Sequence, residues 1–414
     1  MKIAIVGTGI SGMVAAYLLC EDHDITVFEA NDYIGGHTHT IDVEQGGTTY
    51  AVDTGFIVFN EVTYPNFIKL MKRLGVSWQK SQMSFSFKSY KTGLEYSPSS
   101  LKSLFAQKRN FFRPSFYRMV SDIFRFQRQS EELLRLQEHD RTLYEYLREK
   151  GYSHMFIQNF IMPMGAAIWS ADPGKFAEFP AKTFIEFFQN HGFLRVHNQP
   201  QWLVIKGGSK QYAERLTAPF KEKIRLNCPV TSVKRHREYV EVVPQGGTLE
   251  KFDAIIIATH SDQALAMLLD PSDMEREILG AIPYQKNDIV LHTDTSLLPQ
   301  RQICWASWNY IIPEDDEGGM ALTYDMNILQ TLRAPVEFCV TLNLTHAIDP
   351  EKIVFHITYD HPVFTLKGIS AQKSHERING INRTYFCGAY WGYGFHEDGV
   401  NSALAVAKHF GKKI

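Results

Sequence analysis

The sequence predicts an α/β protein built on a Rossmann-type parallel sheet, and three features of its first 30 residues carry that prediction. IAIV at 3–6 is a short β-branched run suited to a strand buried on both faces. It runs into Gly7-Thr8-Gly9-Ile10-Ser11-Gly12, a GxGxxG turn that opens the apolar helix GMVAAYLL. DITVFEA then reads as a second strand ending in Glu29, 17 residues beyond Gly12.

Each piece has a physical task. The first glycine makes the tight turn, the second lets the backbone approach a pyrophosphate, and the third packs helix on strand. The amides at Ile10 and Ser11 open the helix, where an anion is favoured. Glu29, followed by Ala30, stands where an acid holds ribose hydroxyls, which argues against the 2′-phosphate of NADP. Residues 3–20 carry no charge, yet they read poorly as an export signal. Lys2 is a thin basic start, and no small-residue cleavage pattern precedes the EDHD at 21–24. A spanning helix needs about 20 apolar residues, and three glycines interrupt this run.

At 414 residues the chain is long enough for roughly two or three domains. A hydrophobic content of 44% with 21% charged residues is that of a folded protein, and a net charge of -2 supplies no general field for nucleic acid. Five cysteines (20, 228, 304, 339, 387) show neither CxxC nor metal-ligand spacing, so a reducing cytoplasm and no metal are expected.

After Glu29 come NDYIGGHTHT and then VDTGFIVFN. Here the chain resembles the large flavoprotein family that includes amine oxidases, protoporphyrinogen oxidase and the phytoene desaturases. In that family the segment reads GG-R-x-x-T and touches the FAD phosphates. Gly35, Gly36, His37, Thr38 and Thr40 occupy it here, with His37 in place of the usual Arg. Gly55 and Phe56 of DTGF fall beside the flavin in family members. CPVTSVKR at 228–235 resembles the strand whose backbone, near Val230, reads the adenine, and FDAIIIATH at 252–260 ends in the family's A-T-x turn at Ala258 and Thr259. YFCGAYWGYGFHEDGVNSALAVA at 385–407 resembles the C-terminal flavin-binding segment, with Gly388 after the strand and Gly399, Val400 and Asn401 at the helix start. Ala389 replaces the acid that grips the ribityl chain, and Asp398 is the carboxylate left to take over that task.

The resemblance implies noncovalent FAD and an amine-oxidase-like two-domain architecture. A discontinuous FAD-binding domain would comprise 1–60, 200–262 and 375–414, with an α+β substrate domain inserted as 61–199 and 263–374. It further implies hydride transfer to or from flavin N5 above an apolar slot. Trp391, Tyr393 and His396 come from the region that closes an aromatic cage in amine oxidases. NDIVLHTD at 287–294 looks like the strand that places a Lys near N5 in many of them, so His292 is expected to shuttle a proton there. CWASWNY at 304–310 is expected to line the pocket, and IMPMGAAIWSADP at 161–173 resembles the family's helix leading into the substrate cavity, with Pro163 and Gly165 as breaks.

IVGTGISG, YIGGHTHT, VLHTD, CWASWNY and FHEDGVNSA together resemble a narrower group, the flavoproteins encoded beside cyclopropane fatty acid synthases. That likeness implies a hydrophobic, fatty acyl or other lipid-like substrate. Two other readings stay open: an amine oxidase that releases hydrogen peroxide, and a flavin-bound, non-catalytic partner of a lipid-modifying enzyme. Residues 101–128 hold seven Lys/Arg, seven Phe/Tyr and one acid. They read either as core-facing helices with a solvated basic face, or as a peripheral contact with the inner face of a membrane or with such an enzyme.

Overall fold

The computed structural model describes the chain except residues 136–140, 195–198 and 315–320. Five parallel strands form one sheet in the order Ile224–Arg225, Asp24–Phe28, Lys2–Val6, Ala254–Ile257, Thr384–Phe386. Lys2–Val6 lies at its centre, with Ile5 opposite Val27 on one side and Ile256 on the other. Helices cover both faces of such a sheet, which is why Ile3, Ala4 and Ile5 and the run AIII at 254–257 are apolar throughout and buried. The helices Ile10–Leu19 and His396–His409 share the hydrophobic cluster on one face. The expected discontinuous Rossmann-type sheet is therefore present, drawn from the start, middle and end of the chain.

A second sheet of seven strands runs in the order Ile353–Pro362, Tyr284–His292, Cys339–Leu342, Ala321–Asp325, Trp308–Ile312, Phe85–Ser89, Glu95–Tyr96. It is antiparallel except where Trp308–Ile312 meets Phe85–Ser89. The helices between 114 and 190 share a core with it, rich in phenylalanine: Phe116, Phe156, Phe184 and Phe187 join Leu291, Tyr310 and Leu322. Within this layer Met162–Trp169 is preceded by a wide i→i+5 turn at Ile157–Ile161. Pro163 has no amide to donate to the Asn159 carbonyl and its ring crowds it; the Tyr96 hydroxyl donates to that carbonyl instead, at 2.6 Å.

Helix Pro65–Arg73 lies beyond the expected boundary at residue 60, yet Phe67, Ile68, Leu70 and Met71 pack in the cluster of the parallel sheet with Tyr212 and Val400.

Candidate functional site

One cavity of about 850 Å³ begins at the carboxyl ends of the parallel strands, where Val6, Phe28, Ala258 and Gly388 line it, and continues to the edge of the seven-stranded sheet at Ile357–Pro362. At its nucleotide end the wall is largely main chain. Gly7 holds φ +99°, and a Cβ there would lie 3.0 Å from the Ala258 carbonyl oxygen. A Cβ on Gly12 would collide with the Gly7 carbonyl, whereas a Cβ on Gly9 would meet nothing within 4 Å. Gly9 caps helix Ile10–Leu19 without any side-chain hydrogen bond, which leaves the first amides free for an anion.

Glu29 is buried beside this turn. Its Oε2 accepts from the Thr8 amide at 2.8 Å and the Thr8 hydroxyl at 2.5 Å, and its Oε1 from the Asn31 amide at 2.9 Å. The Gly35 amide donates to Thr8 Oγ1 at 3.1 Å, so Thr8 ties the acid to the Gly35–Gly36 turn. Open space over Gly9, uncapped amides and an acid at the ribose position together fit the dinucleotide half of FAD. Among the described residues no Lys or Arg lines the cavity. Nor does His37 supply a charge: burial, with His361, His260 and His396 nearby, holds its pKa well below the ordinary value.

The other end is built from side chains. Trp169, Trp308, Tyr324, Tyr359 and Phe364 form an aromatic wall. His260 and His361 stand in it beside His37, with ring centroids 6.1 and 5.1 Å from that of His37. Burial keeps His260 below its usual pKa and lowers His361 to about 4.

A buried amide relay settles which nitrogen of His361 carries the proton. The Asp288 amide must donate to Asn343 Oδ1, at 2.8 Å, so Asn343 Nδ2 faces Asn287 and donates to its Oδ1 at 2.7 Å. Asn287 Nδ2 is then directed at the Ser170 carbonyl, 3.0 Å, and at His361 Nδ1, 2.8 Å. A side-chain N–H meets Nδ1, so Nδ1 accepts and Nε2 keeps the hydrogen. That Nε2–H has no partner among the described residues.

Most of the expected residues meet at this cavity: Gly7, Gly9, Ile10, Ser11, Glu29, Ala30, Gly35, Gly36, His37, Gly55, Phe56, Val230, Ala258, Thr259, Gly388, Ala389, Tyr393 and His396 all line it. His396 stacks on Phe56 with centroids 3.5 Å apart, bonds the Tyr212 hydroxyl at 2.9 Å, and is pushed down to about 3 by burial.

Others lie behind the wall. His292 is a correction: it is fully buried in its sheet, accepts from the Asp294 amide at 3.0 Å and donates to Thr341 Oγ1 at 2.7 Å, and it does not reach the cavity. Trp391 is another, since its ring stacks on His375 at 4.1 Å away from the cavity. Asp398 does not take over the ribityl position either; its Oδ2 accepts from the Tyr393 and Phe395 amides, both at 3.0 Å, and fastens the loop before its own helix. Thr38 supports His396 from behind at 3.1 Å, and Thr40 donates to Asp53 at 2.5 Å. Gly12 and Gly399 serve helix packing: a Cβ on Gly399 would lie 2.6 Å from Ile10 Cγ2. Val400 is buried in that packing, and Asn401 accepts from Asn66 Nδ2 at 2.8 Å near the surface. Of CWASWNY only Trp308 lines the cavity.

From the expected segment 161–173, Ile168, Trp169 and Ser170 reach the cavity, whereas sequence reasoning missed Thr8, His260, Tyr284, Tyr324, Tyr359 and His361 as wall residues. Thr8 and His260 sit inside motifs already recognised, GTG and ATH, and were within reach. The others come from separate strands and helix ends with no shared local signal.

A family model for flavin-containing amine oxidoreductases matches residues 10–300. The chain is 22% identical to flavin-containing amine oxidase A of Sus scrofa over 351 residues, which is 78% of this chain and 62% of that protein's length. Among solved structures it is similar to cyclohexylamine oxidase from Brevibacterium oxydans IH-35A, at 16% identity and TM-score 0.67, covering 99% of both chains. It is also similar to a CLA-producing fatty acid isomerase from P. acnes, at 18% identity and TM-score 0.68, covering 99% of this chain and 98% of that one. These structural likenesses establish the fold. With the family model spanning more than half of its length, the chain belongs to the flavin-containing amine oxidoreductase family.

Proposed function

We propose that the substrate is a lipid-like chain, a fatty acyl group presented with a neutral carbonyl such as an ester, oxidised or reduced in this cavity. The observation that carries the reading is the wall itself: aromatic side chains, no Lys or Arg among the described residues, and a fixed neutral N–H donor at His361, with the Trp308 indole N–H of the same wall unpartnered among the described residues. An unpaired carboxylate would lose its hydration there without a cation to replace it, whereas a carbonyl oxygen needs only a donor. FAD supplies the two-electron redox chemistry. The chain's residues do the rest: the aromatic wall excludes water and aligns the hydrocarbon, and His361 Nε2–H orients the carbonyl end. The fold likeness to a fatty acid isomerase and the resemblance to flavoproteins encoded beside cyclopropane fatty acid synthases support the same substrate class.

One feature favours the amine-oxidase reading instead. Asp360 lines the cavity and would suit an ammonium group. The two are separated by anaerobic mixing of the holoprotein with a medium-chain acyl ester, the free fatty acid and the alkylamine, monitored by flavin absorbance, together with re-oxidation of photoreduced protein by an unsaturated ester. Flavin turnover with the ester is the expected result. Reduction by the amine alone, with peroxide released in air, would replace the proposal with the second reading. His361→Phe should raise KM for the ester on the order of tenfold, as for a lost hydrogen bond, with a smaller change in kcat.

A further inference from the structure

The basic, aromatic stretch that begins at residue 101 folds into a surface separate from the redox cavity; none of the residues named below lines that cavity. It holds large apolar side chains in the open: Phe112 is 87% exposed, Leu101 77%, Ile303 53% and Phe111 49%. They stand on a braced platform. Phe105 stacks under Phe111 with centroids 4.4 Å apart, the Tyr117 hydroxyl donates to the Phe111 carbonyl at 3.2 Å, and the Cys304 thiol donates to the Ser103 carbonyl at 3.6 Å, which joins the Ile303 turn to the Leu101 helix.

Beside this platform lies a crevice of about 390 Å³ lined by Gly93, Gln107, Lys108, Arg109, Gln300 and Arg301. Its cations are partly fixed. The Arg109 guanidinium donates to the Gly93 carbonyl, and Arg301 pairs with the buried Glu95, whose other oxygen accepts from the Gln300 amide at 3.0 Å. Lys108 is exposed and has no partner among the described residues. Between residues 90 and 118 there are six Lys/Arg and one acid, Glu95, which Arg301 already neutralises.

We propose that this face docks on an anionic phospholipid bilayer, with Leu101, Phe111, Phe112 and Ile303 entering the headgroup boundary and a lipid phosphate seated in the crevice of Lys108, Arg109 and Arg301. Charge complementarity selects the occupant. Exposed apolar side chains alternating with Lys and Arg are what an interfacial surface presents to acidic lipid, whereas the core of a protein interface is depleted in lysine. A free phosphate or other small anion would account for the crevice and leave the apolar platform without a role. No helix among the described residues is long and apolar enough to cross a membrane, so this contact lies on the bilayer and does not span it.

The test is flotation of the FAD-loaded protein with vesicles of phosphatidylcholine alone and of phosphatidylcholine with phosphatidylglycerol. Binding is expected to the anionic vesicles only and to fall as salt rises. Phe112→Ser and Lys108→Glu should each reduce the bound fraction on the order of tenfold, the first by removing apolar insertion and the second by reversing a charge at the surface. Val62→Ser, which removes a side chain 65% exposed outside this face, should leave it unchanged. Flavin absorbance and thermal midpoint verify that each variant is folded. Equal partition onto neutral vesicles, no partition onto either, or parental binding by both variants would overturn the proposal; so would inorganic phosphate at low concentration releasing the protein completely, because a soluble anion would then be the occupant.

Discussion

At the nucleotide end of the cavity the wall is mostly main chain, set by Gly7, Gly9, Gly35 and Gly36 and by the first amides of one helix; at the substrate end it is side chains from Trp169, Trp308, Tyr324 and the strand 353–362. The first kind of wall is local. Backbone can approach a ligand only where side chains are missing, so the requirement is written as glycines at fixed spacing within a few residues. The second kind is assembled by topology, and any large apolar residue that ends up facing inward will serve. Recognition through backbone leaves a signature in sequence, and recognition through packed side chains leaves almost none.

The largest expected effect comes from forcing a side chain into the backbone wall. Gly12→Ala should cost about 3 kcal/mol through overpacking against the Gly7 carbonyl and lower the thermal midpoint. Gly9→Ala has room for its methyl and should fold like the parent while retaining less FAD, on the order of tenfold in affinity. If both variants lose stability equally, the wall is not divided into packing and binding glycines as described.

Next in size is His292→Ala, which removes a buried hydrogen bond and leaves a void, for about 2–3 kcal/mol of stability. Pre-steady-state flavin reduction should be unchanged, because the ring faces Thr341 and not the cavity. A slowed reduction step with normal stability would return His292 to the chemistry.

A smaller change is expected from adding charge where the backbone now acts alone. His37→Arg should tighten FAD binding by roughly 0.5–1 kcal/mol, with a gain that shrinks as salt rises, read by titrating apoprotein with FAD. An unchanged affinity would mean that the glycine turn and helix amides already saturate the phosphate.

A prediction of a different kind, a pH dependence, concerns Asp398, whose pKa burial pushes up to about 7 although two amides bond it. A carboxyl raised in the folded state holds its proton more tightly there than in the unfolded chain. Stability is therefore lost as pH rises from about 4 to about 7. Asp398→Asn should gain on the parent across that window, measured as the difference in thermal midpoint at pH 5 and pH 8.

How much of this was legible follows from the same division. The strand, glycine turn, helix and acid of residues 3–29 were readable because their spacing is fixed by one βαβ unit. His292 was misplaced because position on a strand was matched while the direction of the side chain was not: one residue of register turns a side chain to the opposite face. His361 left no trace, since its role depends on Asn287 and Asn343 in two other strands or their ends and on the Ser170 carbonyl at a helix terminus. That helix 65–73 packs in the cluster of the parallel sheet is not legible in the sequence, because an amphipathic pattern reveals that one face is buried but not which core receives it.

The parallel sheet also imposes a timetable. Ala254–Ile257 pairs on one side with residues 2–6 and on the other with Thr384–Phe386, and Gly399 closes against Ile10. At ordinary synthesis rates, ~20–80 s separate the emergence of the first glycine turn from that of the helix that completes its packing. For that interval a nascent chain presents an unpaired, wholly apolar strand edge and cannot enclose its cofactor. Ribosome-bound chains stopped short of residue 384 should therefore be clients for chaperones, and acquisition of FAD should wait until helix His396–His409 has emerged.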